Sequence, residues 1–139
     1  MTKRVLVAED DAAIRRLLVR VLARAGFDTE VVTNGRDAID RIAVTAYDVV
    51  LLDLMMPHVN GFDVLQWVRR ERPEAAKRFI VLTAAAEREM RHLHASEVCA
   101  VIRKPFELDD ITKTVRSCAG EAEPASEPPP INGLSPETA

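Results

Sequence analysis

Residues 48–53 read D-V-V-L-L-D, and this stretch decides the fold. Four consecutive apolar residues between two aspartates leave no face for water, which predicts a short strand buried on both sides. Such a strand belongs inside a parallel sheet with helices packed on each face. Upstream, residues 5–8 form another short apolar run. Then Ile14, Leu17, Leu18, Val21, Leu22 and Ala25 recur at the spacing of a single helix stripe. Arg15, Arg16, Arg20 and Arg24 fall off that stripe, toward its solvated sides, and Gly26 just beyond it is a helix-end signal. Residues 29–32 read as a second strand, Asn34-Gly35 as a turn, and Ala38, Ile39 and Ile42 as a second helix. Downstream, Pro57 and Gly61 break the chain. Phe62, Val64, Leu65, Trp67 and Val68 mark a third helix that ends near Pro73. Residues 79–83 predict a fourth strand. Residues 86–96 predict a mostly polar helix anchored by Met90 and Leu93. Residues 99–102 predict a fifth strand, and Leu108, Ile111, Thr112 and Val115 a last helix. Strand and helix alternate five times, which predicts an α/β fold with a parallel sheet and helices on both faces.

The 139 residues, 47% of them hydrophobic, suffice for one domain with a real core. No apolar run approaches the roughly 18 residues of a membrane span. Lys3 and Arg4 precede only four apolar residues before acidic ones begin, too few for a signal peptide, so a cytoplasmic location is expected. Cys99 and Cys118 are too few and too far apart for a disulfide framework or a zinc site, and read as two free thiols. The formal net charge of −3 argues against nucleic-acid binding. The charge is uneven: residues 1–118 carry 19 basic and 18 acidic side chains, whereas residues 119–139 hold four glutamates and no Lys or Arg. Periodicity also stops after Cys118, where A-G-E-A-E-P-A-S-E-P-P-P begins. We therefore divide the chain into a domain, 1–118, and a disordered Pro/Glu-rich tail or linker, 119–139.

In parallel α/β sheets, ligands bind beyond the carboxyl ends of the strands. The first strand is followed by Glu9-Asp10-Asp11, the third ends in Asp53, the fourth in Thr83, and Arg103-Lys104-Pro105 follows the fifth. Carboxylates gathered there repel by about 4 kcal/mol per pair at 4 Å and an effective dielectric near 20. Either their pKa values rise or a divalent cation joins them. Oxygen-only ligands favour a hard ion, Mg²⁺ with Mn²⁺ as the alternative. A carboxylate beside such an ion can act as a nucleophile toward phosphorus, with Thr83 and Lys104 suited to the phosphoryl oxygens. Taken singly, each piece has a bland explanation. Asp11 is placed to cap the first helix, Asp53 to open a turn, and Lys104-Pro105 to form a loop. Their joint placement at four strand ends points to a site.

These residues resemble a known family. V-L-V-A-E-D-D followed by I-R-R-L-L, then V-V-L-L-D-L-M-M-P-H-V-N-G, I-V-L-T-A and V-I-R-K-P-F are similar to the receiver domain of bacterial two-component response regulators, over about residues 3–118. The resemblance implies a flavodoxin-like, doubly wound sheet of five parallel strands in the order 2-1-3-4-5 with five helices. It implies that Asp53 accepts a phosphoryl group from a histidine kinase or phosphotransfer protein. It implies that Glu9, Asp10, Asp53 and the backbone carbonyl of Met55 hold Mg²⁺, that Thr83 and Lys104 contact the phosphoryl group, and that the Lys104-Pro105 bond is cis. Catalysis would be limited to the domain's own phosphoryl transfer and hydrolysis. The signal would pass by protein contact around the fourth helix, fifth strand and fifth helix of such a fold, with the domain a monomer or weak dimer. Three departures stand out. Val101 occupies the position, three before the lysine, where the family often carries Tyr or Phe. Residues 96–100 read S-E-V-C-A rather than the family's Gly-Ala turn. Met55 and Ala85 are apolar at positions that tune phosphoryl loss in the family.

Other residues carry less. His58, His92 and His94 read as surface histidines, Arg69, Arg70 and Arg72 as a solvated helix end, and Trp67 as packed at the edge of the third helix. A phosphatase of the haloacid-dehalogenase type also uses an Asp nucleophile, but wants a second Asp where Met55 stands. The receiver half of a truncated DNA-binding regulator, and a pseudo-receiver that binds partners without phosphorylation, are the remaining alternatives.

Overall fold

The structure is a computed structural model and describes residues 2–84 and 95–120. Five strands, β1 (Arg4–Ala8), β2 (Asp28–Val32), β3 (Val49–Asp53), β4 (Phe79–Thr83) and β5 (Ala100–Arg103), form one parallel sheet in the order β2-β1-β3-β4-β5. Four α-helices lie among the described residues: α1 (Ala12–Arg24), α2 (Gly35–Val44), α3 (Gly61–Glu71) and α4 (Leu108–Cys118). Short 3-10 turns cover Pro73–Arg78 and Ala95–Glu97. The helix expected over 86–96 falls almost wholly outside the described residues, as do His92, His94, Ala85 and the tail beyond Gly120.

The sheet divides the core into two layers, as strand alternation requires. Val5, Val7, Val49, Leu51, Ile80 and Leu82 face Leu18 and Leu22 of α1 and Ile111 and Val115 of α4. Leu6, Ala8, Val50, Leu52, Phe79 and Val81 face Ala38 and Ile42 of α2 and Val64, Leu65 and Val68 of α3. All five residues of β3 and of β4 are buried, which is why those sequences are continuous apolar runs. Each fully buried Leu or Ile contributes roughly 1.5–3 kcal/mol by leaving water. Strand β2 is an edge and is half polar: Glu30 accepts hydrogen bonds from Tyr47 Oη at 2.6 Å and Arg41 Nη1 at 2.7 Å, and pairs with Arg4.

Local chemistry sets the helix ends. Asp11 caps α1 by accepting from the Ile14 amide at 3.0 Å, Asn34 caps α2 through the Asp37 amide, and Asn60 and Asp63 form a capping box on α3. Asn34-Gly35 is thus a helix start rather than a free turn. Gly26 ends α1 with a φ of +94°, which a side chain would disfavour.

The two cysteines are not free thiols. Cys99 and Cys118 form a disulfide with their Cα atoms 6.1 Å apart. The four residues of β5 climb about 13 Å, and the 11 residues of α4 descend about 16 Å on its flank. The last residue of α4 therefore returns to the level at which β5 begins. A separation of 19 residues along the chain conceals that proximity.

Candidate functional site

Parallel pairing in register brings the strand ends level. Ala8 lies beside Leu52, Asp53 beside Leu82, and Thr83 beside Arg103. Glu9 and Asp10 follow β1 directly, Asp53 and Thr83 are the last residues of β3 and β4, and Lys104 follows β5. All the site residues expected from sequence reach one edge of the sheet, and Glu9 (0% exposed), Asp53 (2%) and Thr83 (0%) are the buried polar residues among those described. Glu9, Asp10 and Asp53 each offer a carboxylate oxygen within 4.8 Å of the other two.

Lys104 joins the buried carboxylates. Its Nζ lies 3.0 Å from Glu9 Oε1 and 3.2 Å from Asp53 Oδ2. The opposite oxygens are held by backbone amides. Met55 N–H donates to Asp53 Oδ1 at 3.0 Å, and Asp11 N–H donates to Glu9 Oε2 at 3.1 Å. The carboxylates are thus fixed in orientation as well as position. The Lys104-Pro105 bond is cis, and the Lys104 amide donates to the Thr83 carbonyl at 2.9 Å, tying β5's exit to β4's end.

The electrostatics match this crowding. Burial pushes the Glu9 carboxyl up to about 7; the neighbouring Asp53 pushes the same way, while hydrogen bonds from the Asp11 amide and Lys104 oppose the shift. Burial alone would lower the Lys104 pKa, but its bond to Glu9 and the charges of Asp53 and Glu9 outweigh it and raise it. One ammonium facing three carboxylates leaves a deficit of positive charge. The all-oxygen donor set fits a hard divalent cation such as Mg²⁺, which takes few carboxylates and keeps waters.

Two residues that sequence patterns did not single out for the site shape it. Arg15, expected on a solvated side of α1, is half-buried, and its Nη1 donates to the carbonyls of Glu9 (3.0 Å) and Asp10 (3.3 Å). Gly61 donates its amide to the Leu54 carbonyl at 3.0 Å, and a Cβ there would lie 2.5 Å from both the Asp53 carbonyl oxygen and the Leu54 Cα. The glycine lets α3 start directly against the end of β3. Gly61 was legible as a chain break and as the last residue of the motif that follows Asp53, but not as a close approach of backbone; nothing in the pattern around Arg15 signalled its role. His58 is exposed, at a φ of 63°. Val101 is partly buried against the α2–α3 layer. Trp67 packs there too. In the basic run, Arg69 pairs with Glu97 at 2.6 Å, Arg70 with Glu71 at 3.5 Å, and Arg72 donates to the Ala43 carbonyl.

The response regulator receiver domain family matches residues 5–116, most of the chain. The chain belongs to the response regulator receiver domain family. Members of this family are phosphorylation-dependent switches in two-component signalling. The receiver is 36% identical over 109 residues to the DNA-binding transcriptional regulator NtrC of Rhizobium meliloti, covering 77% of this chain and 22% of that protein. It is 35% identical over 118 residues to the DNA-binding response regulator MtrA of Mycolicibacterium paratuberculosis, covering 84% of this chain and 51% of that protein. The receiver thus spans about a fifth to a half of the length of these relatives. Among solved structures it is similar to the Francisella response regulator 1452 receiver domain, with a TM-score of 0.76 and 29% identity over 86% of this chain and 98% of that one. It is also similar to the response regulator TrrA of Thermotoga maritima, solved in complex with Mg(2+)-BeF, with a TM-score of 0.73 and 30% identity over 84% and 99% of the two chains. No helix of the described residues is long and apolar enough to cross a membrane.

Proposed function

We propose that Asp53 is the phosphoacceptor of this receiver and that Glu9, Asp10, Asp53 and the Met55 carbonyl hold Mg²⁺, or Mn²⁺ in its place. The observation that carries this reading is Lys104 Nζ bridging Glu9 Oε1 and Asp53 Oδ2, with three carboxylates converging on one point. The likeness to TrrA, solved with Mg(2+)-BeF, supports the choice of ion. The bound cation would supply charge neutralisation at the phosphoryl oxygens.

The donor is a phosphohistidine on a histidine kinase or phosphotransfer protein. An Asp53 carboxylate oxygen forms the new bond to phosphorus, and the bond from phosphorus to the imidazole nitrogen breaks, its electron pair leaving with the ring. Met55 N–H keeps the Asp53 carboxylate turned toward the cleft. Lys104 follows charge from the carboxylates to the incoming phosphoryl oxygens, and Thr83, at the end of β4, takes one of those oxygens through its hydroxyl. Catalysis ends with the receiver's own phosphoryl transfer and hydrolysis. The bound group shifts a balance between two states of the domain, which a downstream protein reads around β5 and α4. Val101 in place of an aromatic leaves that readout without a swinging ring. We assign the switch to residues 1–118, a cytoplasmic setting, a monomer or weak dimer, and no nucleic-acid contact within this chain.

Intact-mass spectrometry after incubation with Mg²⁺ and acetyl phosphate tests the reading, with Asp53→Asn as control. A single phosphoryl addition that requires Mg²⁺ and is lost in the variant supports it; the same addition on Asp53→Asn refutes it. The length of the relatives favours a second reading, in which these residues are the receiver half of a DNA-binding regulator. The reading frame past codon 139 separates the two: a stop there supports a stand-alone switch, and continuation into a DNA-binding domain supports the second.

A further inference from the structure

We infer that Arg15 is a positioning residue for the cation ligands, holding the Glu9-Asp10 peptide from one turn inside α1; this rests on the metal-site reading above. The β1–β2 ladder ends where the Glu9 amide donates to the Val32 carbonyl at 3.1 Å. Beyond that point the chain leaves the sheet, yet the next two side chains must converge on one ion. Arg15 Nη1 binds both carbonyls of this segment, at 3.0 and 3.3 Å, so the peptide plane between Glu9 and Asp10 cannot rotate freely. The direction in which each Cα–Cβ bond leaves the backbone follows from that plane. On the far side, Asp11 closes the segment by capping α1, and its amide holds Glu9 Oε2. Arg15 is itself fixed, because its amide donates to the Asp11 carbonyl at 2.9 Å and it sits in the first turns of a packed helix. The acidic segment is therefore clamped at its start, middle and end.

The guanidinium has two opposed effects on a cation. Its charge repels the ion, while its hydrogen bonds pre-orient two ligands. Arg15 is only half-buried, so solvent and salt screen the charge. The orientation of the peptide is not screened, and groups that orient metal ligands commonly change affinity by roughly 10–100-fold. Positioning outweighs repulsion, and losing Arg15 weakens cation binding.

The test is Mg²⁺ titration by calorimetry on the whole chain, wild type against Arg15→Met, with amide hydrogen exchange at Asp10 and Asp11 and acetyl phosphate phosphorylation followed across Mg²⁺ concentrations. The expected result is Mg²⁺ affinity down by roughly tenfold, faster exchange at both amides, and a half-saturating Mg²⁺ concentration that shifts more than the rate at saturation. Unchanged or tighter Mg²⁺ binding overturns the inference. Should Arg15→Met fail to fold, Arg15→Ala, which likewise removes both carbonyl contacts made by Nη1, is read the same way. A wild-type chain that neither binds Mg²⁺ nor gains a phosphoryl group refutes the metal-site reading itself; a wild type that does both beside an indistinguishable variant refutes only the role of Arg15.

Discussion

At the scale of single residues, Lys104 and Glu30 show how differently charge acts in a buried cleft and on a strand edge. Lys104 stands between two buried carboxylates and is the group best placed to follow charge onto a phosphoryl group. Lys104→Met is expected to slow phosphorylation by acetyl phosphate by roughly 10²-fold, the loss typical of one preorganised electrostatic contact. A rate within threefold of wild type would show that the ammonium is a structural counter-ion only. Glu30 faces Tyr47 first, then Arg4 and Arg41, and these hold its carboxyl below the ordinary 4.5. A group whose pKa is lower folded than unfolded stabilises the fold at higher pH. The contribution of Glu30 is therefore complete above its unfolded value and lost as pH falls through the folded one. Tyr47→Phe removes the largest of these interactions and is expected to cost roughly 1–2 kcal/mol at pH 7 and distinctly less at pH 3. Urea unfolding at both pH values checks this, and an equal loss at each would mean that the ionised Glu30 is not the partner.

Among elements, what was legible was whatever repeats along the chain. The apolar runs of β3 and β4 and the stripe of α1 follow from burial on two faces and on one, and the observed ends of all five strands fall within a residue of those read from sequence. Glu9, Asp10, Asp53, Thr83 and Lys104 were legible because a parallel sheet puts every strand's carboxyl end on one edge. Contacts made by leaving an element were not. Arg15 reads as a solvated flank of α1 until the acidic segment curls back over it, and no spacing shows that Cys118 returns to the start of β5. Gly61 belongs with these: it is required by the approach of α3 to the end of β3, which only the assembled structure shows. Gly61→Ala is expected to destabilise the receiver. A Cβ 2.5 Å from two backbone atoms forces a shift costing about 1–3 kcal/mol, which outweighs the gain of up to about 1 kcal/mol from better helix propensity. A higher urea midpoint for the variant would contradict that close approach.

For the molecule as a whole, the sheet separates two kinds of constraint. Its carboxyl edge carries the charged cleft, and its opposite edge carries the disulfide that ties the start of β5 to the end of α4. Closing a loop of 19 residues is worth about 3 kcal/mol through the unfolded chain. Reduction, or Cys99→Ser, is expected to lower the melting temperature by roughly 10 °C. A melt unchanged by reductant would mean that the covalent tie adds nothing to the packing of α4. Reducing compartments keep such pairs as dithiols, so in the cytoplasmic setting proposed above the reduced chain is the relevant arm of that comparison. The central claim lies at the other edge, in the cleft built by Glu9, Asp10, Asp53 and Lys104. Its most direct test is the mass of the intact chain after exposure to acetyl phosphate, with and without Mg²⁺, in wild type and Asp53→Asn. The account requires one added phosphoryl group in the Mg²⁺-treated wild type and none in either control; addition without Mg²⁺, or on the variant, would contradict it.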